Sequence, residues 1–283
     1  MFEKLSRSWD LVRASSAVLR EDKELLLFPL ISSMSTLLVL AAFAIPMFGL
    51  GALDGLSHGR HGILSAGTYV TVFLFYIAQY FVIFFFNTAL VGAAMMRLNG
   101  GNPTVGDGLR IASSRIGSLL GYAAIAATVG MVLRALQERA GFLGKIVLGL
   151  IGMGWTLATA MVVPVLATKD VGPIDAIKES ALLLKKTWGE NIIGHAGLGA
   201  AFVFIYMFAA VLAVFVIIAA AATKAVPVIV VAAIAIVIAF LLIALIQSAL
   251  TGIYSAALYR YATSGEGSAH FDKTALQAAF GTK

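Results

Sequence analysis

Charged residues divide the chain into long apolar stretches separated by short polar segments. Six stretches of 18 residues or more contain no Asp, Glu, Lys or Arg. They are Leu25–Leu53, His61–Met96, Ile116–Leu133, Ile146–Thr168, Asn191–Thr223 and Ala225–Tyr259. A helix needs about 17 to 25 residues to cross the hydrocarbon core of a bilayer. None of the stretches has the alternating pattern of a barrel strand. The pattern therefore predicts an all-α polytopic membrane protein with six transmembrane helices.

Composition supports a membrane environment. Of the 283 residues, 60% are hydrophobic and only 12% are charged, and the mean hydropathy is +0.97. A soluble domain carries about 25% charged residues, so this chain has too few to cover a water-facing surface. The chain has no cysteine, which excludes disulfides, thiolate metal centres, iron–sulfur clusters and cysteine nucleophiles.

The distribution of lysine and arginine predicts the orientation. Residues 1–24, 97–115, 169–190 and 260–283 hold 15 of the 20, and the intervening loops hold the other five. Because cytoplasmic loops are enriched in Lys and Arg, both termini are predicted to be cytoplasmic. The net charge of +6 then lies mostly on one face, where anionic lipid headgroups would meet it. No basic run of the kind that binds a phosphate backbone occurs in a soluble segment, so no nucleic-acid partner is expected.

The first 24 residues resemble an amphipathic helix. Their charged part is too long, and too mixed in sign, for a cleavable signal peptide. Apolar residues recur at helical spacing, with basic residues elsewhere on the wheel. The apolar set is Leu5, Trp9, Val12 and Leu19, and the basic set is Lys4, Arg7, Arg13 and Arg20. Such a helix lies in the membrane interface.

Short echoes along the chain indicate internal repeats. An acid followed three residues later by a base precedes spans 1, 3 and 5, at Asp10/Arg13, Asp107/Arg110 and Asp175/Lys178. Capping or turn residues come before each pair, as at a helix N-terminus. Spans 2 and 6 end in segments 88–97 and 251–260, which share Thr, two alanines and Arg at the same spacing.

These echoes predict one membrane domain, residues 1–283, built from three parallel repeats of an interfacial helix and a transmembrane hairpin. The predicted units are approximately 1–101, 102–170 and 171–262, followed by a short interfacial helix at 271–280. Parallel repeats differ from the inverted repeats of many secondary transporters.

The N-terminal segment also resembles a known group of proteins. Residues 2–12 read FEKLSRSWDLV and residues 19–30 read LREDKELLLFPL. These segments look like those of a set of uncharacterised prokaryotic six-span membrane proteins. The layout is also distantly similar to the membrane domain attached to some glycerophosphodiester phosphodiesterases. The resemblance implies a multi-pass protein of the prokaryotic inner membrane and carries over no catalytic or binding residue.

Proline and glycine predict local features of the spans. Pro46 and Pro164 fall inside spans 1 and 4 and are expected to kink them. Small residues favour close helix packing, as in the pair Gly117 and Gly121 of span 3. Such packing could join helices within one chain or between copies in a homo-oligomer.

Candidate catalytic chemistry is sparse. Asp54, His58 and His61 share a glycine-rich loop and could form a metal site, but such a loop lacks the held geometry that catalytic zinc needs. The sequence contains no nucleophile elbow, zincin motif or phosphate-binding loop. All fourteen carboxylates lie outside the six apolar stretches, so a buried general acid or base is missing. We therefore expect no enzymatic activity, cofactor or metal.

Polar residues inside the spans are amides and hydroxyls. Gln79, Asn87 and Gln247 could hydrogen-bond between helices or line an aqueous path. On the predicted outer side, Arg134, Arg139 and Lys145 surround Glu138. They could pair with it and with the end of the span-3 helix, or attract an anionic substrate or lipid.

Two functions fit this pattern. The first is a non-enzymatic membrane protein whose basic cytoplasmic interfacial helices organise anionic lipid or a protein partner. The second is a channel or transporter for a small solute or lipid. The residues predicted to contact headgroups are Trp9, Arg13, Arg110, Arg115, Lys178, Lys185, Lys186 and Trp188.

Overall fold

A computed structural model describes residues 2–49, 66–188, 197–265 and Phe271. Ten α-helices and no strands occur in these ranges. They are α1 (Phe2–Glu21), α2 (Leu27–Gly49), α3 (Ala66–Leu98), α4 (Val105–Ser114), α5 (Ile116–Arg139), α6 (Phe142–Ala158), α7 (Val162–Thr168), α8 (Pro173–Trp188), α9 (Gly197–Ala222) and α10 (Val226–Ser264). A 3-10 helix, Lys23–Leu26, joins α1 to α2.

The prediction of six transmembrane helices is confirmed. Among the described residues, six segments are long and apolar enough to cross a membrane. They are Lys23–Pro46, Gly67–Leu98, Ile116–Arg139, Phe142–Thr168, Ala201–Ala222 and Val226–Ser264. Large apolar side chains remain exposed along them, as expected where lipid is the solvent. The described part of the chain is therefore all-helical, and its six spans indicate a multi-pass membrane protein.

The chain divides into two compact units. The first comprises Met1–Leu26, Ala94–Asn102 and Thr187–Lys283. In it, α1 packs against α9 and α10, which also pack against each other. The buried side of α1 holds Leu11, Ser15, Val18 and Leu19. This differs from the predicted apolar stripe, because Trp9 is 46% exposed and Val12 is only half-buried.

Two arginines in the first unit donate hydrogen bonds to backbone carbonyls near the end of α3. Arg97 forms an ion pair with Glu21 at 3.4 Å and donates to the Gly101 carbonyl at 3.3 Å. Arg260 donates to the Leu98 carbonyl. Arg97 and Arg260 are the arginines that match between the ends of spans 2 and 6. Both donate hydrogen bonds to backbone carbonyls at or just after the end of α3, which lack partners within the helix.

The second unit comprises Leu27–Ala93 and Pro103–Lys186. Its fourth membrane segment is interrupted at residues 159–161, between α6 and α7. Pro164 has no N–H for the Ala160 carbonyl, which explains a break just before it. By contrast, α2 continues through Pro46 to Gly49. Gly121 of α5 lies against Pro173, whereas Gly117 faces open space.

The threefold repeat stays a prediction. Asp107 and Arg110 are 3.5 Å apart, and Asp175 and Lys178 are 3.1 Å apart. Two of the three sequence echoes therefore form ion pairs within one helical turn. The Asp10 side chain and the predicted helix 271–280, apart from Phe271, lie outside the described residues.

Candidate functional site

Two short helices of the second unit, α4 and α8, carry most of the basic residues predicted to meet headgroups. A capping box begins α4: the Thr104 hydroxyl accepts from the Asp107 N–H at 3.2 Å, and the Asp107 carboxylate accepts from the Thr104 N–H at 3.0 Å. The bond from the Thr104 N–H, together with a bond from the Thr104 hydroxyl to the carboxylate at 2.7 Å, holds the pKa of the Asp107 carboxyl below its ordinary value. The turn residues in the sequence predicted this helix start, and the structure confirms it.

Close packing positions α4 within the second unit. Its buried side is formed by Gly108 and Ala112. A Cβ added to Gly108 would lie 2.5 Å from Cζ of Phe28 and 2.7 Å from the carbonyl oxygen of Ala89. Only glycine permits such an approach. The Arg110 side chain is 81% exposed.

The exposed side of α8 is an alternating apolar and basic stripe. Ile174, Lys178, Leu182 and Lys185 are all exposed and lie within about 80° of one another on the helix. Ala176 and Ser180, on the other side, are fully buried. We call these four residues the α8 stripe. Apolar side chains beside lysines suit the boundary between lipid tails and headgroups.

Several bonds attach α8 and the preceding loop to the rest of the second unit. The Ser118 hydroxyl donates to the Val171 carbonyl at 2.9 Å, and Arg115 pairs with Asp170. Lys169 also pairs with Glu179. Most tellingly, the buried Ser180 hydroxyl accepts from the Met161 N–H at 2.9 Å. The break before α7 frees this N–H, and α8 supplies its acceptor.

The predicted headgroup contacts differ in exposure. Arg13, Arg110, Lys178 and Lys185 are exposed, as is Trp9. Arg115 is the exception, since its side chain is only 19% exposed in its pair with Asp170. The side chains of Lys186 and Trp188 lie outside the described residues, although both residues belong to α8.

The intramembrane amides are distributed over both units. In the second unit, the Gln79 side chain donates to the Thr36 carbonyl at 3.2 Å, which joins α3 to α2. Its other side-chain atom, Oε1, is buried and has no partner among the described residues. Asn87 is half-buried in the same unit, and Gln247 is half-buried in the first. The candidate metal ligands Asp54, His58 and His61 lie outside the described residues.

Three residues that the structure places at buried contacts were not identified from the sequence: Gly108, Ser180 and Asp22. Gly108 and Ser180 make contacts distant in sequence, which no local motif marks. Asp22 is buried where α1 meets the first span. Burial raises the pKa of the Asp22 carboxyl, and the nearby Arg97 opposes that shift. An acid three residues before the first apolar stretch, which begins at Leu25, was the available signal for Asp22.

A family model matches residues 66–269 of the chain. A search of curated proteins and a search of solved structures each found no match. Neither the match nor these searches shows a likeness to the membrane domain of glycerophosphodiester phosphodiesterases. The matched region, residues 66–269, covers more than half of the chain and begins after the N-terminal segments quoted above. On this match the chain belongs to DUF6159, a family of unknown function.

Proposed function

We propose that this protein is a non-enzymatic component of the prokaryotic inner membrane, whose interfacial helices organise anionic lipid or a protein partner on the cytoplasmic side. The α8 stripe carries the proposal. A helix with two exposed apolar side chains and two exposed lysines, held by its buried side, can insert the apolar pair while the lysines reach headgroups.

Charge sets the strength of this interaction. A basic residue near an anionic leaflet contributes about 1 kcal/mol. Asp107 and Asp175 pair with Arg110 and Lys178 and reduce the net attraction at those two places. Lys185 and Lys186 have no acid at the third position before them. The end of α8 is therefore expected to contribute most.

Replacing Arg110, Lys178, Lys185 and Lys186 together by glutamine should reduce the anionic lipid that co-purifies with the protein. The reason is the loss of four cations at about 1 kcal/mol each. Lipid content is measured by mass spectrometry after extraction in mild detergent. The control replaces the same number of cations on the predicted outer side, Arg60, Arg139, Lys145 and Lys224, and leaves Arg134 unchanged. Equal anionic lipid in the first variant and the unaltered protein would contradict the proposal.

A channel or transporter is the alternative function. The unpartnered Oε1 of Gln79 supports it, since a buried carbonyl oxygen costs free energy unless something hydrogen-bonds to it, and water in a passage would do so. The interhelical bond from Gln79 to the Thr36 carbonyl supports a packing role instead. Unchanged lipid content in the glutamine variant would shift the balance to this alternative.

Cysteine labelling should test the proposed orientation. In this cysteine-free chain, an impermeant thiol reagent added to intact cells should label Ser57→Cys and Ala225→Cys and spare Ser114→Cys and Ser264→Cys. Ser180 is unsuitable as a cytoplasmic site because its side chain is fully buried, and Leu182 is unsuitable because the proposal inserts its side chain into the lipid. Membrane permeabilisation must expose Ser114→Cys, whose native hydroxyl is exposed, to the reagent. The reverse labelling pattern would overturn the orientation, and with it the cytoplasmic location of α4 and α8.

A further inference from the structure

A cavity of about 220 Å³ lies between α3 and α5 in the second unit, at the end of α5 that is farthest from α4. It is lined by Tyr76, Tyr80, Ala127, Gly130, Met131 and Arg134. The lining combines three apolar or small residues with a guanidinium and two phenols. Open cavities with a few convergent polar groups are where ligands bind.

Arg134 has capacity for a ligand. Its Nε donates to Glu138 at 3.1 Å, and one Nη donates to the Tyr76 hydroxyl at 3.3 Å. In the described part of the chain, these two bonds use two of the five N–H groups of the guanidinium. The side chain is 70% exposed. The predicted pairing of Arg134 with Glu138 is therefore confirmed, and the pairing leaves donors available.

The tyrosines add two further hydroxyls. Since Tyr76 accepts from Arg134, its own proton remains able to donate. The Tyr80 hydroxyl borders the cavity next to Gly130, where an added Cβ would lie 3.5 Å from it. Stacked rings hold Tyr80 in place: its centroid is 6.5 Å from that of Tyr76 and 5.6 Å from that of Phe84. These donors suit an oxyanion, because guanidinium groups bind phosphate through several N–H bonds.

We propose that this cavity binds the phosphate headgroup of an anionic membrane lipid, with the start of an acyl chain along Ala127 and Met131. Its volume of about 220 Å³ is below the roughly 300 to 1,000 Å³ of pockets that enclose a whole small molecule. A lipid needs to place only part of itself in the cavity, and the rest stays in the bilayer. The site does not depend on the function proposed for α4 and α8.

Photo-crosslinking can locate such a lipid. The full-length protein is placed in phosphatidylcholine nanodiscs that contain a minor fraction of phosphatidylglycerol with a diazirine near the headgroup. After irradiation, digestion and mass spectrometry, adducts are expected on the α5 peptide with Ala127, Gly130 and Met131. Arg134→Gln should lower the adduct yield about tenfold, which corresponds to about 1.4 kcal/mol, because the variant loses hydrogen bonds between a charged donor and the phosphate.

Two pairs of variants, each with a matched control, separate loss of lipid binding from a general effect of lost charge or added bulk. Arg139→Gln removes the same charge from an exposed neighbour and should leave the yield unchanged. Gly130→Leu fills the cavity and should abolish the adduct, whereas Gly117→Leu projects from the same helix into open space and should not. Each variant is compared only when it elutes from size-exclusion chromatography as a single folded species. If Gly130→Leu does not, the comparison of Arg134→Gln with Arg139→Gln tests the proposal by itself.

Three outcomes would overturn the proposal. The first is equal labelling by a diazirine phosphatidylcholine, which would show that net negative charge is not recognised. The second is full competition by excess inorganic phosphate, which would assign the site to a free anion. The third is an unchanged yield in Arg134→Gln. Loss of cytoplasmic lipid in the α8 variants would not affect these results, so the two proposals fail independently.

Discussion

Alanine at Gly108 is expected to lower the free energy of unfolding by about 3 kcal/mol, at the upper end of what overpacking normally costs. The added Cβ would lie 2.5 Å from the Phe28 ring and 2.7 Å from the Ala89 carbonyl oxygen. The ring can move, but the carbonyl belongs to the backbone of a transmembrane helix. We therefore expect α4 to be displaced from α3, and Arg110 with it. Unfolding in a detergent titration, followed by circular dichroism, measures the loss.

Gly106→Ala is the control for this prediction. Gly106 lies in the same helix, and a Cβ there would meet only the Thr104 hydroxyl at 3.6 Å, an ordinary contact. Because alanine favours helix by up to about 1 kcal/mol over glycine, Gly106→Ala should be neutral or stabilising. Adding Phe28→Leu to Gly108→Ala should recover only part of the loss, since the carbonyl contact remains. Equal stability of the two alanine variants would contradict the packing argument.

The six spans could be predicted because charge is excluded from the bilayer core. An uninterrupted apolar stretch such as 225–259 permits almost no other structure, and the turn residues before Val105 marked a helix start in the same local way. The buried side of α1 was harder to predict. When lipid is the solvent, apolar side chains lie on both the packed and the lipid-facing sides of a helix. Leu11 and Val18, which are buried, look in sequence like Trp9, which is exposed.

Candidate-site residues were predictable only where a charge identified them. Arg110, Lys178 and Lys185 followed from charge patterning, and each is exposed. Arg115 belongs to the same pattern, yet it pairs with Asp170, 55 residues later, and its side chain is only 19% exposed although that of Asp170 is 88% exposed. The cavity beside Arg134 depends on two tyrosines from another helix. Such pairings follow from tertiary packing, which a single sequence without co-varying relatives does not specify.

The break in the fourth span shows how a local signal and a distant contact combine. Pro164 predicted a distortion, and the helix stops at Ala158. An interrupted helix leaves backbone groups that must find partners at membrane depth. The Thr159 hydroxyl donates to the Trp155 carbonyl at 2.9 Å, and Ser180 accepts from the Met161 N–H. A side chain of α8 therefore holds the break, and α8 carries the stripe on which the proposed function rests.

Ser180→Ala is accordingly expected to destabilise the second unit by about 1 to 3 kcal/mol, the cost of leaving a buried donor without an acceptor. The loss should appear in the same detergent titration. In Ser180→Cys, the thiol is larger than the hydroxyl and a weaker acceptor, so a loss of stability is expected there as well. Its thiol should react slowly with a maleimide until the protein unfolds, because Ser180 is fully buried.

The control for this last prediction is Ser114→Ala. The Ser114 hydroxyl donates to the Ile111 carbonyl within its own helix at 2.7 Å and is exposed, so its removal should change the stability by no more than about 0.5 kcal/mol. A Ser180→Ala variant as stable as Ser114→Ala would mean that the Met161 N–H finds another acceptor. If instead Ser180→Ala both unfolds earlier and retains less anionic lipid, the bond at the break also fixes the position of the α8 stripe. Lipid loss at unchanged stability would separate the two effects, since the hydrogen bond would then orient α8 without contributing to folding.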